Sequence, residues 1–363
     1  MGWTRMELGI GAFGDASTDP NTGHRISEAQ AIRNLVEAIT LADQVGLDWF
    51  GLGEHHTPEF PGSAAAPVLA AAAMTTRRIK LSSAVTVLGT DDPVRVYEQF
   101  STVDAISRGR AEIIAGRGSS VESFPLFGYS LADYDTLFSE KLDLLMRINE
   151  SDHVVWSGTT RSPLNGEYIP PRAERGPIPL WLGVGGNPRS ILRAARLGLP
   201  LATGFLGGSA YRGVPLAELY RRASEEAGTP PERRLVMLGS PGFIAPDGGR
   251  ARETWWPHWH DFMMTVGGQR GFIAPSRAAY DRDTAPGGAL FVGGPEEIAE
   301  RIIELHAHWG HVRQYIHVDM GGVPQKDILR AIELFGTEVG PLVQAELGAG
   351  GLDPVLRPAA AAA

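Results

Sequence analysis

The feature that most constrains this chain is a rhythm: a short apolar run followed by an amphipathic run, eight times over. The apolar runs read as strands. They are "MELGIGAF" (6–13), "LDWFGLG" (47–53), "RIKLSSAVTVL" (78–88), "GRAEIIAG" (109–116), "IPLWLGVGG" (178–186), "LPLATGF" (199–205), "RRLVMLGSPGFIA" (233–245) and "VRQYIHVDMGG" (312–322). The runs between them have helical spacing, as in 27–46, where Ile32, Val36 and Ile39 share one face. Ser27 suits an N-cap and Gly46 a stop, and Asp92-Pro93 supplies a cap and a first helical residue.

Alternation of this kind argues a parallel sheet with helices outside it. Eight units suggest a closed (β/α)8 TIM barrel, a fold of roughly 250 residues that grows by insertion. An open doubly wound sheet is the alternative. It would be favoured by a dinucleotide fingerprint after the first strand, but "GIGAFGDAS" opens a polar loop there. Two stretches break the rhythm. Residues 151–177 look like a hairpin or loop insertion. Residues 247–287 hold the aromatic "WWPHWHDFMM" and then "SRAAYDRDTAPGG", which reads as loop. The expected organisation is a single domain, 1–346, with insertions at about 151–177 and 247–287 and a frayed tail at 347–363.

Composition narrows the chemistry. There is no cysteine among the 363 residues, which excludes disulfides, zinc–thiolate sites, iron–sulfur clusters and cysteine nucleophiles. The 33 basic residues are scattered and outnumbered by 42 acidic ones, so nucleic acid is not the expected partner. "MGWTRMELGI" has no long apolar run and no segment is apolar enough to span a bilayer, so a cytoplasmic protein without a signal peptide is expected.

In a barrel of this kind the site lies where strands end and the following loops begin. The fifth strand ends in "GVGGNPRS", a Gly-rich turn with Asn187 as N-cap and Pro188 at the first helical position. Gly185 and Gly186 let backbone N–H groups approach an anion, and Ser190 adds a hydroxyl. A tight turn with no ligand would leave the same pattern. The fourth strand sharpens the reading: "IIAGRGSS" puts Arg117 at the barrel opening, where its guanidinium can fork onto phosphate oxygens. Strands four and five are neighbours in a barrel, so both features would face one phosphate-bearing guest.

The second strand ends in "GLGEHHTPEF". A metal site is disfavoured, because adjacent residues on a strand point to opposite sides and His55 and His56 cannot both enter one site. Nor is the spacing that of the helical zinc motif. A glycosidase would want two carboxylates across the mouth, where the fourth strand offers an arginine. Purely structural histidines remain open at this point. His317 and Asp319 on the eighth strand line the barrel or pair with each other, with no catalytic role assigned.

"DWFGLGEHHTPEF", "SSAVTVLGTDDPVRVYEQFSTVDAISRGRAEIIAGRGS", "PLWLGVGGNPRSILRAARLGLP" and "QYIHVDMGGVPQKDILRAIELFGTEVGP" together resemble the bacterial luciferase-like flavin monooxygenases, in colinear order over nearly the whole chain. The resemblance implies a (β/α)8 barrel, usually a dimer, that binds reduced FMN and activates O2. It implies a monooxygenase acting on a small organic substrate through a flavin hydroperoxide. It places the flavin phosphate near Arg117 and the turn Gly185, Gly186, Asn187 and Ser190, a non-proline cis bond at Ala84-Val85 under the flavin ring, and the catalytic histidine at His55. Where luciferase carries acidic and hydroxyl side chains in that turn, this chain has Gly-Gly-Asn-Pro, so backbone donors must do more of the binding. Glu98 falls at the subunit contact. A separate NAD(P)H:flavin reductase is the expected source of reduced flavin. The 247–287 stretch could form a lid with Trp255, Trp256 and Trp259 as apolar cover, or a self-packed subdomain. The same superfamily leaves two alternatives: an F420-dependent dehydrogenase or reductase, and a flavin-binding protein without turnover.

Overall fold

A computed structural model describes residues 5–118, 121–268 and 271–348. The strands, in chain order, are β1 (Glu7–Ala12), β2 (Trp49–Leu52), β3 (Lys80–Ser83), β4 (Thr86–Val87), β5 (Ala111–Gly116), β6 (His153–Trp156), β7 (Leu164–Tyr168), β8 (Leu180–Val184), β9 (Leu201–Gly204), β10 (Val236–Ile244), β11 (Phe291–Gly293) and β12 (Arg313–His317). The helices are α1 (Glu28–Gln44), α2 (Ala65–Ala73), α3 (Pro93–Ser107), α4 (Ser123–Leu126), α5 (Tyr134–Glu150), α6 (Pro188–Arg196), α7 (Val214–Glu226), α8 (Gly248–Phe262), α9 (Arg277–Thr284), α10 (Pro295–Trp309), α11 (Gln325–Leu334) and α12 (Gly340–Leu347).

Eight parallel strands close into a ring in the order β1, β2, β3, β5, β8, β9, β10, β12, and β12 pairs back onto β1. The expected barrel is therefore the fold. Local chemistry sets the element ends as the sequence suggests. The Ser27 hydroxyl accepts from Gln30 N–H at 3.1 Å, Asp92 caps α3 through Val94 N–H at 2.8 Å, and Gly46 takes φ +88° after α1.

Apolar side chains fill two layers. One lies between strands and helices and holds most of the core, including Ile10, Leu52, Leu81 and Ile113. The other fills the barrel itself with Trp49, Ile114, Trp181, Ala202 and Met237. Glycine makes room for the large rings inside. A Cβ on Gly51 would fall 2.0 Å from the Trp49 ring, and one on Gly239 would fall 2.0 Å from Tyr315. The barrel floor is polar. Arg313, fully buried, donates to Glu7 at 2.6 Å and to Glu112 at 2.7 Å, between the faces of Trp49 and Trp181. Burial alone would raise the Glu112 carboxyl, but Arg313 and Lys80 outweigh it and hold it below the usual carboxylate range.

The fold departs from the sequence reading in three places. The third strand is not continuous over 78–88: β3 ends at Ser83, the Ala84–Val85 peptide bond is cis, and β4 resumes beside β5. Residues 277–284, read as loop, form α9, because Ser276 caps the Ala279 N–H and Arg277 pairs with Asp281 one turn on. The short strand β11, which the rhythm does not show, pairs with the far half of β10. The stretch 151–177 does contain an antiparallel hairpin, β6–β7. The expected frayed tail lies outside the described residues from 349 onward, as does Ser119 beside Arg117. Among the described residues no helix is long and apolar enough to cross a membrane.

Candidate active site

The C-terminal ends of β2, β3, β5, β8 and β9 open into a cavity of about 380 Å³. Its lining includes His55, Ala84, Val85, Arg117, Gly185, Asn187 and Ser190, which come from four separate strand ends. Gly186 sits in the same turn with φ +87° but is not part of the lining.

At one end of the cavity two loops meet. Arg117 follows β5, and its guanidinium donates to the Ser190 hydroxyl at 3.1 Å and to Asp135 at 2.8 Å. It also lies over the Tyr134 ring, 5.0 Å from the centroid. Asn187 caps α6 by accepting from Arg189 N–H at 2.9 Å, so the positive end of α6 points to the same place. A Cβ on Gly185 would meet nothing within 4 Å, which leaves its backbone facing open space. Cation, hydroxyl, helix end and exposed backbone thus converge, a set of donors of the kind that suits an anion. Asp135 and Tyr134 were not singled out in the sequence; they belong to the first turn of α5, next along the same connection.

The middle of the cavity is backed by Ala84 and Val85. Val85 is wedged between strands. A Cβ on Gly183 would fall 2.7 Å from its Cγ1, and one on Gly116 would fall 2.5 Å from its Cγ2. The two glycines therefore exist to admit the Val85 side chain.

At the other end stands His55, only 5% exposed. Phe13 meets it edge-on at 4.7 Å between centroids, and Phe60 lies at 5.2 Å. Its Nδ1 is 3.2 Å from a Glu122 carboxylate oxygen. His56, like His55 in the loop beyond the end of β2, has a different partner: its Nε2 is 3.0 Å from Glu54. Glu54 also accepts the Val87 N–H at 2.9 Å and so braces β4. Glu122 escaped the sequence reading, although it is the first carboxylate in the chain after Arg117. His317 lies 3.3 Å from Asp319, outside hydrogen-bonding alignment, and its ring meets Phe13 at a 41° tilt, 3.9 Å between centroids. The Asp319 carboxylate instead accepts N–H bonds from Phe13, Gly14 and Asp15 and pins the first strand's loop.

Trp255 and Trp259 do not cover the cavity. Both are fully buried and stacked on each other at 5.1 Å, packing α8 against the barrel, and Trp256 is no part of the lining either. The apolar face of α8 is spent on the core, and Phe262 reaches Phe60 at 6.4 Å. A second cavity, about 340 Å³, lies outside the barrel wall between β1, α1 and α11. Burial there pushes the Asp15 carboxyl up to about 6, against N–H bonds from Gly322 and Ser17 that pull it down.

The strand ends of a (β/α)8 barrel thus bring a group of hydrogen-bond donors and a buried histidine to the two ends of one cavity. The sequence matches the luciferase-like monooxygenase family over residues 6–311, and the chain belongs to that family. It is 26% identical to protein y4vJ of Sinorhizobium fredii (strain NBRC 101917 / NGR234), over 90% of this chain and 95% of that one. It is 25% identical to the alkanal monooxygenase alpha chain of Photorhabdus luminescens, over 67% and 68%. Among solved structures, monooxygenase RslO1 from Streptomyces bottropensis superposes with a TM-score of 0.80 at 22% identity, over 93% of this chain and 99% of that one. The oxygenating constituent of 3,6-diketocamphane monooxygenase from Pseudomonas putida, in complex with FMN, gives 0.72 at 19%, over 93% and 98%. An F420-dependent secondary alcohol dehydrogenase gives 0.69 at 18%, over 93% and 99%. These likenesses establish the fold.

Proposed function

We propose that this chain is a flavin-dependent monooxygenase that takes reduced FMN and O2 and oxidises a small organic substrate. The observation that carries the reading is the Arg117–Ser190 contact at the start of α6, at one end of a cavity whose other end is His55. The residues fit the cofactor: as an anion cradle they offer cationic, hydroxyl and backbone donors for a phosphate, and Gly185 leaves open space before it. In this reading Arg117, Ser190 and the Gly185–Asn187 turn hold the phosphate, and Ala84 and Val85 support the ring system. Bound there, the flavin supplies the electrons and the activation of O2.

The protein's own groups do the rest. Val85, held between Gly116 and Gly183, gives the ring a stiff wall. Phe13 and Phe60 keep water from the His55 end, where charge interactions then strengthen. His55 handles the proton at its imidazole, the group suited to transfer near neutral pH. A separate reductase delivers the reduced flavin, and the face of α2 and α3 that carries Glu98 joins two copies; both are part of the same proposal.

Anaerobic titration with reduced FMN, oxidised FMN and F420 tests it. Reduced FMN is expected to bind tightest. Tightest binding of F420 would replace oxygen transfer with hydride transfer, and failure of all three would sink the enzyme reading.

A further inference from the structure

His55 is delivered by the end of β2 into a gap between two phenyl rings. Those rings fix the plane of the imidazole but accept no ordinary hydrogen bond, so they do not choose which nitrogen carries the proton. A polar contact that bears on the choice is Glu122, 3.2 Å from Nδ1. An ionised carboxylate only accepts, so the nitrogen facing it must be the protonated one. Glu54 is not available for this task. It is engaged by His56 and by the Val87 N–H, so each of the two adjacent histidines has its own carboxylate.

Glu122 also lies five residues after Arg117, on the same connection between β5 and α5. Further along, Phe127 packs edge-on against His56 at 5.0 Å. One segment, 121–127, therefore addresses both histidines and follows directly from the residue of the anion cradle. The Glu122 side chain is 25% exposed, so its removal leaves no buried void.

From this geometry we propose that Glu122 is a positioning residue that holds His55 in the Nδ1–H form, with Nε2 as the basic nitrogen of the ring. The assignment rests on the reading of His55 as the proton-handling group. It adds a residue that acts through the histidine and touches no substrate. The arrangement is the general one in which the partner of one imidazole nitrogen sets the state of the other.

Nitrogen NMR of protein carrying 15N-labelled histidine, without cofactor and at a pH where His55 is neutral, reads the tautomer directly. His55→Gln assigns the signal. The wild type is expected to show His55 as Nδ1–H. Glu122→Ala is expected to shift His55 away from the Nδ1–H form, leaving the His56 signal in place. Glu122→Gln is expected to keep Nδ1–H through its amide oxygen. A wild-type His55 in the Nε2–H form overturns the proposal without any variant, and so does a tautomer unmoved by Glu122→Ala. Because the readout needs no flavin, its result stands apart from the titration that tests the function.

Discussion

Replacing Arg117 by alanine separates a phosphate role from a structural one. The guanidinium touches Ser190, Asp135 and the Tyr134 face, and its side chain is 25% exposed while that of Asp135 is 75% exposed. The pair with so exposed a carboxylate contributes about 0–1 kcal/mol, so the fold should tolerate its loss. A phosphate in the cradle would instead take a charge-assisted hydrogen bond worth about 1.5–3 kcal/mol. Losing about 1.5–3 kcal/mol weakens FMN by roughly 10- to 150-fold. Riboflavin has the same ring system and no phosphate, so its affinity should change less than about threefold by the same reasoning. Both flavins are titrated by fluorescence quenching at one fixed, low ionic strength, since salt screens the term being measured. Asp135→Asn gives the converse: removing a carboxylate beside the anion should tighten FMN and leave riboflavin alone. Equal losses for the two flavins in Arg117→Ala would refute the phosphate assignment and leave Arg117 as a strut between the β5 and β8 loops.

Two further outcomes follow from the packing and the buried charge. Gly183→Ala places a Cβ 2.7 Å from the stiff Val85 side chain and should cost about 1–3 kcal/mol in urea unfolding; Val85→Ala removes the clashing methyl, so a double-mutant cycle should show about 1 kcal/mol or more of coupling, and strict additivity would contradict the wedge. Asp15 is raised from 3.8 to about 6 by burial, so the folded chain keeps its proton where the unfolded chain has lost it. Its contribution is thus fully present below about pH 4 and is lost as pH rises through about 6, a change of about 3 kcal/mol. The stability difference between wild type and Asp15→Asn should shrink by that amount across the window, and a flat difference would show that Asp15 is not held protonated.

The barrel was legible because its cause is local. Each strand is an apolar run, each helix has its own stripe and cap, and eight repeats of that unit leave few ways to bury every face. The breaks in the reading also have local causes. Residues 277–284 are polar and flank a proline and glycines, which hides a helix stabilised by its Ser276 cap and by the Arg277 pairs with Asp281 and Glu253. The three tryptophans looked like cover because aromatic residues outside the rhythm have no assigned core. Only the closed barrel shows that Trp255 and Trp259 have one.

The sequence by itself determined the alternation, the caps and the strand-end residues Arg117 and His55, because strand ends follow from short-range pattern. It also suggested, by strand alternation, that His55 and His56 do not share one site; they meet different carboxylates, although β2 ends at Leu52 and both lie in the loop beyond it. Tertiary structure decided which distant groups meet. Arg117 reaches Ser190 across 73 positions and His55 reaches Glu122 across 67, distances over which no periodicity carries information. Those contacts exist because the ring of strands brings β2, β5 and β8 to one mouth, and closure of the ring is a property of all eight strands together.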